Sequence, residues 1–232
     1  MRKLFLHLRR LFALVVVLLM LSLAYNLFST DDIEISRPAS APAAIDADTP
    51  WYLTLVSSQY GLPQGYRLTL ASIGDGQQVD RRIAAPLKDM LRAARDDGYA
   101  PQINAGFRSQ VLQTQLFNDK IADFEACGYD STTATTLASR WVSPPGTSEH
   151  ELGLAVDIGT DDQALYNWLA ENSWRYGFIQ RYPPDKTDIT GVSHEPWHYR
   201  YVGKDAAAAI HANNLTLEEY LVQKGLLPTA TT

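Results

Sequence analysis

The 232-residue sequence is short of two kinds of residue, and each shortage narrows what the protein can be. It has a single cysteine, Cys127, so no intrachain disulfide can form and the fold must be held by its hydrophobic core. It is also short of positive charge, with 20 Lys and Arg residues against 26 Asp and Glu residues. Nucleic-acid binding is therefore not expected, because neutralising phosphates requires a basic surface.

The few cations are unevenly placed, since four of them precede one apolar segment at the amino terminus. Residues 1–10 contain four Lys or Arg and no acid, and residues 11–28 are almost uninterruptedly apolar. Eighteen helical residues span roughly 27 Å, close to the ~30 Å hydrocarbon core of a bilayer. Residues 1–30 therefore predict a cytoplasmic basic stub and a transmembrane signal anchor, with a cleaved signal peptide as the alternative.

The composition changes twice more along the chain. Residues 31–50 are polar, acidic and rich in Ala and Pro, which predicts a flexible linker. Beyond residue 30 the chain has 16 Lys and Arg against 26 Asp and Glu, a net charge of −10. Residues 51–232 are enough for one domain with a substantial core, and we predict that this domain contains the functional site.

The most informative stretch is residues 148–157, Ser-Glu-His-Glu-Leu-Gly-Leu-Ala-Val-Asp. From residue 152 to residue 158, large apolar residues alternate with small or acidic ones, as in a strand with one core face. The core face would be Leu152, Leu154, Val156 and Ile158, and the other face Gly153, Ala155 and Asp157. The second face is small until Asp157, which leaves space for a metal or substrate. His150 is seven positions from Asp157, so we expect it in the loop before the strand, curling back.

A second stretch, residues 194–198, has the sequence His-Glu-Pro-Trp-His and matches the HExxH pattern of helical zinc proteases. Pro196 argues against a helix, since proline in a helix interior costs about 3 kcal/mol. The aromatic and β-branched residues that follow predict instead a strand beginning near Pro196. On this interpretation Glu195 and His198 are the functional pair, and His194 is a neighbour that either contacts substrate or has no role.

Together the two stretches supply the ligand types of a catalytic zinc site, which takes three protein ligands and leaves a fourth position open. We predict that His150, Asp157 and His198 bind zinc, which would lower the pKa of its water toward about 7. Glu195, three residues before a ligand, is placed to take a proton from that water.

The same residues resemble the signature of the VanY-type D-alanyl-D-alanine carboxypeptidases. The pattern is Ser148-x-His150-x-x-Gly153-x-Ala155-x-Asp157, followed by Glu195-Pro196-Trp197-His198-x-Arg200-Tyr201-Val202-Gly203. That family belongs to a wider group of zinc peptidases with lysostaphin and the amino-terminal domain of hedgehog proteins. Weaker matches at residues 51–56, 62–66 and 106–109 extend the resemblance over most of the chain.

Three further residues are candidates for substrate contacts. Arg108 lies at a predicted strand-to-helix corner and is our candidate for stabilising the oxyanion of the tetrahedral intermediate, and for binding substrate. By resemblance, Ser148 would contact the substrate, and Gln115, two helical turns beyond Arg108, would line the same pocket. The alternatives are a structural ion pair for Arg108, a loop-shaping role for Ser148 and simple solvation for Gln115.

Helical periodicity and capping signals predict helices around this site. They are expected at residues 86–97, 110–126, 132–142, 162–174, 205–212 and 217–224, with Ser109 capping the second and a capping box of Thr216 and Glu219 on the last. Residues 102–107 predict a strand. We therefore predict an α+β fold in which a small antiparallel sheet carries the zinc site, helices pack outside it, and one transmembrane helix precedes it.

The resemblance implies a membrane-anchored, zinc-dependent carboxypeptidase that removes the terminal D-alanine from peptidoglycan stem peptides. Its catalytic domain would face the periplasm or the cell exterior. The alternatives are an L,D-carboxypeptidase or endopeptidase of the same fold, and a non-catalytic module that holds a cell-wall peptide. A module that only binds would have no need of Glu195, so its presence beside three ligands and Arg108 favours the enzyme.

Overall fold

The computed structural model describes residues 33–35, 49–159 and 162–227, which all belong to one compact unit. The predicted transmembrane segment, residues 11–28, and most of the predicted linker lie outside the described residues. Among the helices that are described, none is both long enough and apolar enough to cross a membrane.

The described residues form eight strands and seven α-helices. The strands are β1 (Ile33–Ile35), β2 (Tyr66–Leu68), β3 (Leu70–Gly74), β4 (Gln77–Asp80), β5 (Gln102–Ala105), β6 (Ala155–Gly159), β7 (Phe178–Tyr182) and β8 (Glu195–Tyr201). The helices are α1 (Arg81–Asp96), α2 (Gln110–Ala126), α3 (Ser131–Ala138), α4 (Gln163–Asn172), α5 (Thr187–Thr190), α6 (Lys204–Ala212) and α7 (Leu217–Gln223). Short 3-10 helices occupy Trp51–Leu53, Ser173–Tyr176 and Pro184–Lys186.

The main sheet is antiparallel, with the strand order β5-β6-β8-β7. The hairpin β3–β4 and the pair β1–β2 form two further antiparallel sheets of two strands each. The pairing of Ile33–Ile35 with Tyr66–Leu68 differs from the flexible linker predicted there. Isoleucine is β-branched and favours extended backbone, which is consistent with a short strand at this point.

Helix α1 begins five residues earlier than predicted. Its N-cap is Asp80, whose side chain accepts a hydrogen bond from the Arg82 backbone N–H at 2.9 Å. Pro86 therefore lies inside the helix rather than at its first position. The cap satisfies a backbone donor that would otherwise be free, and α1 buries a continuous apolar stripe, which together offset the one hydrogen bond that proline removes.

The other helices lie close to their predicted positions. Helix α2 has Ser109 as its N-cap, and α7 has the predicted capping box of Thr216 and Glu219. Helix α3 stops at Ala138, four residues short of the predicted end, and α4 ends at Asn172. Strand β7 and the hairpin β3–β4 were not predicted.

One face of the main sheet packs into the larger of two hydrophobic clusters. Leu152, Leu154, Val156 and Ile158 are all fully buried there, with the apolar stripe of α1 against them. A smaller cluster lies where α6 and α7 pack against β7. The predicted α+β architecture is confirmed, and the face of β6 opposite to Val156 and Ile158 is left for Asp157.

Candidate metal centre and active site

Two of the predicted ligands are brought together by the register of the main sheet. Asp157 on β6 and His198 on β8 are direct cross-strand partners. Side chains of such partners lie on the same face of a sheet, about 5 Å apart at Cβ. Here the two side chains meet, with Asp157 Oδ1 at 3.1 Å from His198 Nδ1.

The third predicted ligand, His150, lies in the turn before β6, as the odd spacing to Asp157 predicted. Its Nε2 is 3.3 Å from Asp157 Oδ1. Its ring is fixed from behind, because Nδ1 is 2.7 Å from the Gly106 carbonyl oxygen. The backbone is held as well, since the Arg108 N–H donates to the His150 carbonyl at 3.2 Å. A side chain at residue 106 would overlap the Gln78 carbonyl, so this support requires glycine.

The three side chains fit a metal ion. One ligand atom from each lies within 4.8 Å of the others, and bonds of about 2.0–2.1 Å to a tetrahedral zinc would place ligand atoms about 3.3 Å apart. Asp157 Oδ1, at the centre of the cluster, is buried and has no well-directed hydrogen-bond donor among the described residues. Burial alone would raise the pKa of Asp157, but the neighbouring histidines hold this pKa well below its usual range. A cation would satisfy this carboxylate.

Glu195 faces the same point because β8 is bulged. The register shifts between Gln180 and Tyr182 on β7, so Tyr182 pairs with Glu195 while Gln180 pairs with Tyr199. A bulge re-aims side chains, and Glu195 Oε2 lies 3.6 Å from His198 Nδ1 although the two residues are three apart. Burial raises the pKa of Glu195 to about 7. The strand predicted from Pro196 is present as β8 and begins one residue earlier, at Glu195.

The side chain of Arg108 is paired with one of the three predicted ligands. Its Nη2 donates to Asp157 Oδ2 at 2.6 Å, and both side chains are largely buried. The two oxygens of Asp157 thus have different surroundings, one facing the histidines and one facing the guanidinium. Arg108 therefore makes the ion pair given above as an alternative and also lines the cavity in front of the predicted ligands.

The cluster opens into a cavity of about 440 Å³. Arg108, Ser148 and Glu195 line it together with the three predicted ligands. Helix α2 and two loops close the other side. The residues they contribute are Leu116, Asp119, Lys120, Asp123, Trp141, Val142, Ser143 and Val192. Trp197 on β8 also lines the cavity. The volume suits a short peptide end.

Gln115 does not line this cavity, so its predicted position is wrong. The face of α2 that borders the cavity runs through Leu116 and Lys120, and Gln115 is exposed. His194 is likewise exposed, with its Nε2 at 3.2 Å from Gln180 Nε2.

Glu149 is a site residue that the sequence analysis missed. It is buried next to His198, with Oε2 at 3.3 Å from His198 Nε2, and it lines the cavity. Arg181 and Arg200 both contact its Oε1 at 2.8 Å. Burial alone would raise the pKa of Glu149, but these two guanidinium groups hold this pKa far below its usual range. Its place between Ser148 and His150 was the available signal.

Three candidate ligands beside a carboxylate able to carry a proton are the arrangement expected of a metal-dependent hydrolase. The profile of one family, VanY, D-alanyl-D-alanine carboxypeptidase, matches residues 76–204. The chain belongs to this family, and the prediction made from the two motifs is confirmed.

Several relatives agree with this assignment. A D-alanyl-D-alanine carboxypeptidase of Enterococcus faecalis is 49% identical over 176 residues, which cover 74% of this chain and 66% of that protein. A solved vancomycin-resistance D,D-pentapeptidase VanY variant in complex with Zn(II) is 49% identical, with a TM-score of 0.71 over 74% of this chain and 99% of that one. VanYB in complex with D-alanine-D-alanine is 48% identical, with a TM-score of 0.74 over 75% of this chain and 99% of that one. Zinc as the cofactor agrees with the first of these two structures, which contains Zn(II).

Proposed function

We propose that the chain is a zinc-dependent D,D-carboxypeptidase that removes the terminal D-alanine from peptidoglycan stem peptides. The observation that carries the proposal is the convergence of His150, Asp157, His198 and Glu195 on one point of a cavity of peptide-end size. Relatives of the same family support the substrate class, because one was solved with Zn(II) and another with D-alanine-D-alanine.

His150 Nε2, Asp157 Oδ1 and His198 Nδ1 would hold the metal. When bound, zinc supplies a Lewis acid and a water that loses its proton near neutral pH. Glu195 is the group placed to accept that proton, since its carboxyl lies beside His198 and burial raises its pKa to about 7. A carboxyl with a pKa near the working pH can both accept a proton and deliver it to the leaving amine.

Arg108 and Ser148 complete the proposed site. The Arg108 guanidinium uses Nη2 for Asp157 Oδ2, and its other N–H donors can face negative charge that develops on the substrate carbonyl. Ser148 is buried and lines the cavity, where its hydroxyl can contact the peptide. Binding energy from these contacts would orient the scissile bond over the metal.

The test is mass spectrometry of defined stem peptides incubated with the purified protein, with and without a metal chelator. We expect the pentapeptide to lose one alanine and the reaction to stop when the chelator is present. Loss of alanine from the tetrapeptide instead would indicate an L,D-carboxypeptidase, and opening of a cross-linked dimer would indicate an endopeptidase. No cleavage by a protein that holds zinc would indicate a binding module.

We also propose that residues 11–28 anchor the protein in the cytoplasmic membrane, with residues 51–232 on the outer side and the linker between them. The support is the 18-residue apolar run behind four cations. Membrane fractionation of the full chain and of a chain beginning at residue 31 tests this. We expect the full chain in the membrane fraction and the shortened chain outside it, and equal distribution of both would contradict the anchor.

A further inference from the structure

Next to His198 lies a buried cluster of one carboxylate and two guanidinium groups. Glu149 is 2% exposed, Arg181 1% and Arg200 0%. Glu149 Oε1 accepts hydrogen bonds from Arg181 Nε and from Arg200 Nη1, both at 2.8 Å. Burying charged groups is costly unless every charge is paired. The pairing here is complete, and the one remaining carboxylate oxygen, Glu149 Oε2, faces His198 Nε2 at 3.3 Å.

The two predicted histidine ligands are fixed in opposite senses. His198 turns Nδ1 toward Asp157 Oδ1 at 3.1 Å and Nε2 toward Glu149. A carboxylate only accepts hydrogen bonds, so Glu149 favours the ring form with a proton on Nε2, which leaves the Nδ1 lone pair for a metal. His150 is the reverse, since Nδ1 can donate to the Gly106 carbonyl at 2.7 Å and Nε2 is left for the metal.

We propose that Glu149 is a positioning residue that fixes His198 as an Nδ1 metal ligand, and that Arg181 and Arg200 hold Glu149 in place. Groups that orient a ligand in this way commonly change metal affinity by about 10–100-fold when they are altered. The inference rests on the proposed metal site and not on the identity of the substrate.

The cluster also connects the metal site to distant parts of the chain. Arg181 Nη2 pairs with Glu218 Oε1 on α7 at 2.6 Å. Arg200 Nη2 donates to the Thr54 carbonyl at 2.7 Å. The two arginines that hold Glu149 thus also bind segments near both ends of the folded unit, although Glu149 itself contacts neither segment.

The test is the zinc affinity of the full-length protein, measured by competition with a chromogenic chelator. Glu149→Gln is expected to weaken zinc binding about 10–100-fold, because an amide can offer its NH₂ to His198 and no longer requires a proton on Nε2. Glu218→Gln is the matched control, since it alters the same cluster without touching a ligand, and it is expected to match the wild type.

The outcomes separate the possibilities. An equal loss in both variants would show that the cluster supports folding rather than the ligand, and no loss in Glu149→Gln would show that Glu149 does not position His198. Either result overturns the inference while leaving the metal site standing. A wild-type protein that binds no zinc would overturn the proposed metal site itself.

Two further measurements keep the test decisive if Glu149→Gln does not fold, since that change leaves a buried positive charge uncompensated. The double substitution Glu149→Gln with Arg181→Met removes one charge of each sign, and we expect it to show the same loss of zinc affinity. Nitrogen-15 NMR of the zinc-loaded wild type reports the ring form directly. We expect the His198 proton on Nε2, and a proton on Nδ1 would overturn the assignment.

Discussion

Glu195 owes its chemistry to burial more than to any one charged neighbour. Burial is the largest influence on its carboxyl, and it raises the pKa to about 7. His198 and Arg108 oppose this shift, while the Asp157 carboxylate adds to it. The group therefore lies near the point where it can exchange a proton at neutral pH, which is what a general base that later acts as an acid requires.

Substituting Glu195 should separate hydrolysis from metal binding. Glu195→Gln keeps the size of the side chain and is expected to retain zinc while lowering the rate of alanine release by about 10²–10⁴-fold, the usual contribution of a general base. His198→Ala is the comparison, and it should lose both zinc and activity because it removes a ligand. The measurements are zinc content and initial rates on the pentapeptide. Normal turnover by Glu195→Gln would contradict the assignment of the base.

The same residue scale shows what the sequence could and could not reveal. Spacing alone placed Asp157 on the open face of its strand and His150 in the turn before it. For Glu149 the one local signal was its place between Ser148 and His150, and the ion pair with Arg181 that accompanies its burial cannot be read from local sequence. Arg181 lies 32 positions away along the chain. Gln115 was misplaced because a one-residue change in helix phase turns a side chain by about 100°.

At the scale of elements, β6 and β8 were predicted from clear local signals. The alternating stretch gave β6, and the proline with its aromatic run gave β8. Strand β7 lies between Gly177 and Pro183, and the hairpin β3–β4 turns at Asp75 and Gly76, both with positive φ. An Asp-Gly pair is a strong hairpin signal, so the hairpin was predictable. The order of strands in the sheet was not, because it depends on contacts between distant segments.

Gly153 packs closely against the ends of strands β2 and β4, and replacing it should destabilise the fold. Its φ is +68°, and an added Cβ would lie 2.7 Å from Leu68 Cδ1 and 3.0 Å from the Asp80 nitrogen. Strain and overlap together predict that Gly153→Ala lowers the free energy of unfolding by about 2–4 kcal/mol. The control is Gly128→Ala, which has a φ of +94° but meets nothing within 4 Å. Urea unfolding measures both, and equal losses would show that the close approach of Asp80 has no cost.

The packing of strand β2 predicts a dependence of stability on alkaline pH. Burial, with a smaller contribution from Asp80, raises the pKa of Tyr66 from 10.0 to about 12, and its hydroxyl donates to the Leu152 carbonyl at 3.1 Å. The folded state therefore holds this proton more tightly than the unfolded state. The resulting stability is fully present below pH 10 and is lost as the pH rises from about 10 to about 12.

Tyr66→Phe tests this contribution. Between pH 8 and pH 11 the free energy of unfolding should fall more steeply for the wild type than for the variant, because only the wild type has this proton to lose. At pH 8 the variant should be less stable by about 1 kcal/mol, the usual net value of a hydrogen bond. Urea titrations at the two pH values give both numbers. Parallel slopes would mean that Tyr66 ionises no differently in the folded and unfolded chain.

At the scale of the whole molecule, the metal site depends on the folded chain. His150 comes from a turn, Asp157 from β6 and His198 from β8, so the three ligands converge only when the main sheet has formed. In the metal-free protein, Asp157 and Glu149 outweigh the effect of burial and raise the pKa of His198 to about 9. The raised pKa means that the groups around His198 favour positive charge at this position, which zinc would supply in place of the proton.

Zinc should therefore stabilise the entire folded unit. A ligand that binds only the folded state adds about 2.7 kcal/mol to the free energy of unfolding at a free concentration 100 times its dissociation constant. Urea unfolding with zinc and with a chelator measures this difference. His198→Ala is the matched control, because removing one ligand should abolish the difference without adding any new group to the site. An equal free energy of unfolding with and without zinc in the wild type would mean that the metal does not bind where the turn meets the sheet. If His198→Ala kept the full effect of zinc, the stabilising zinc would lie elsewhere on the chain.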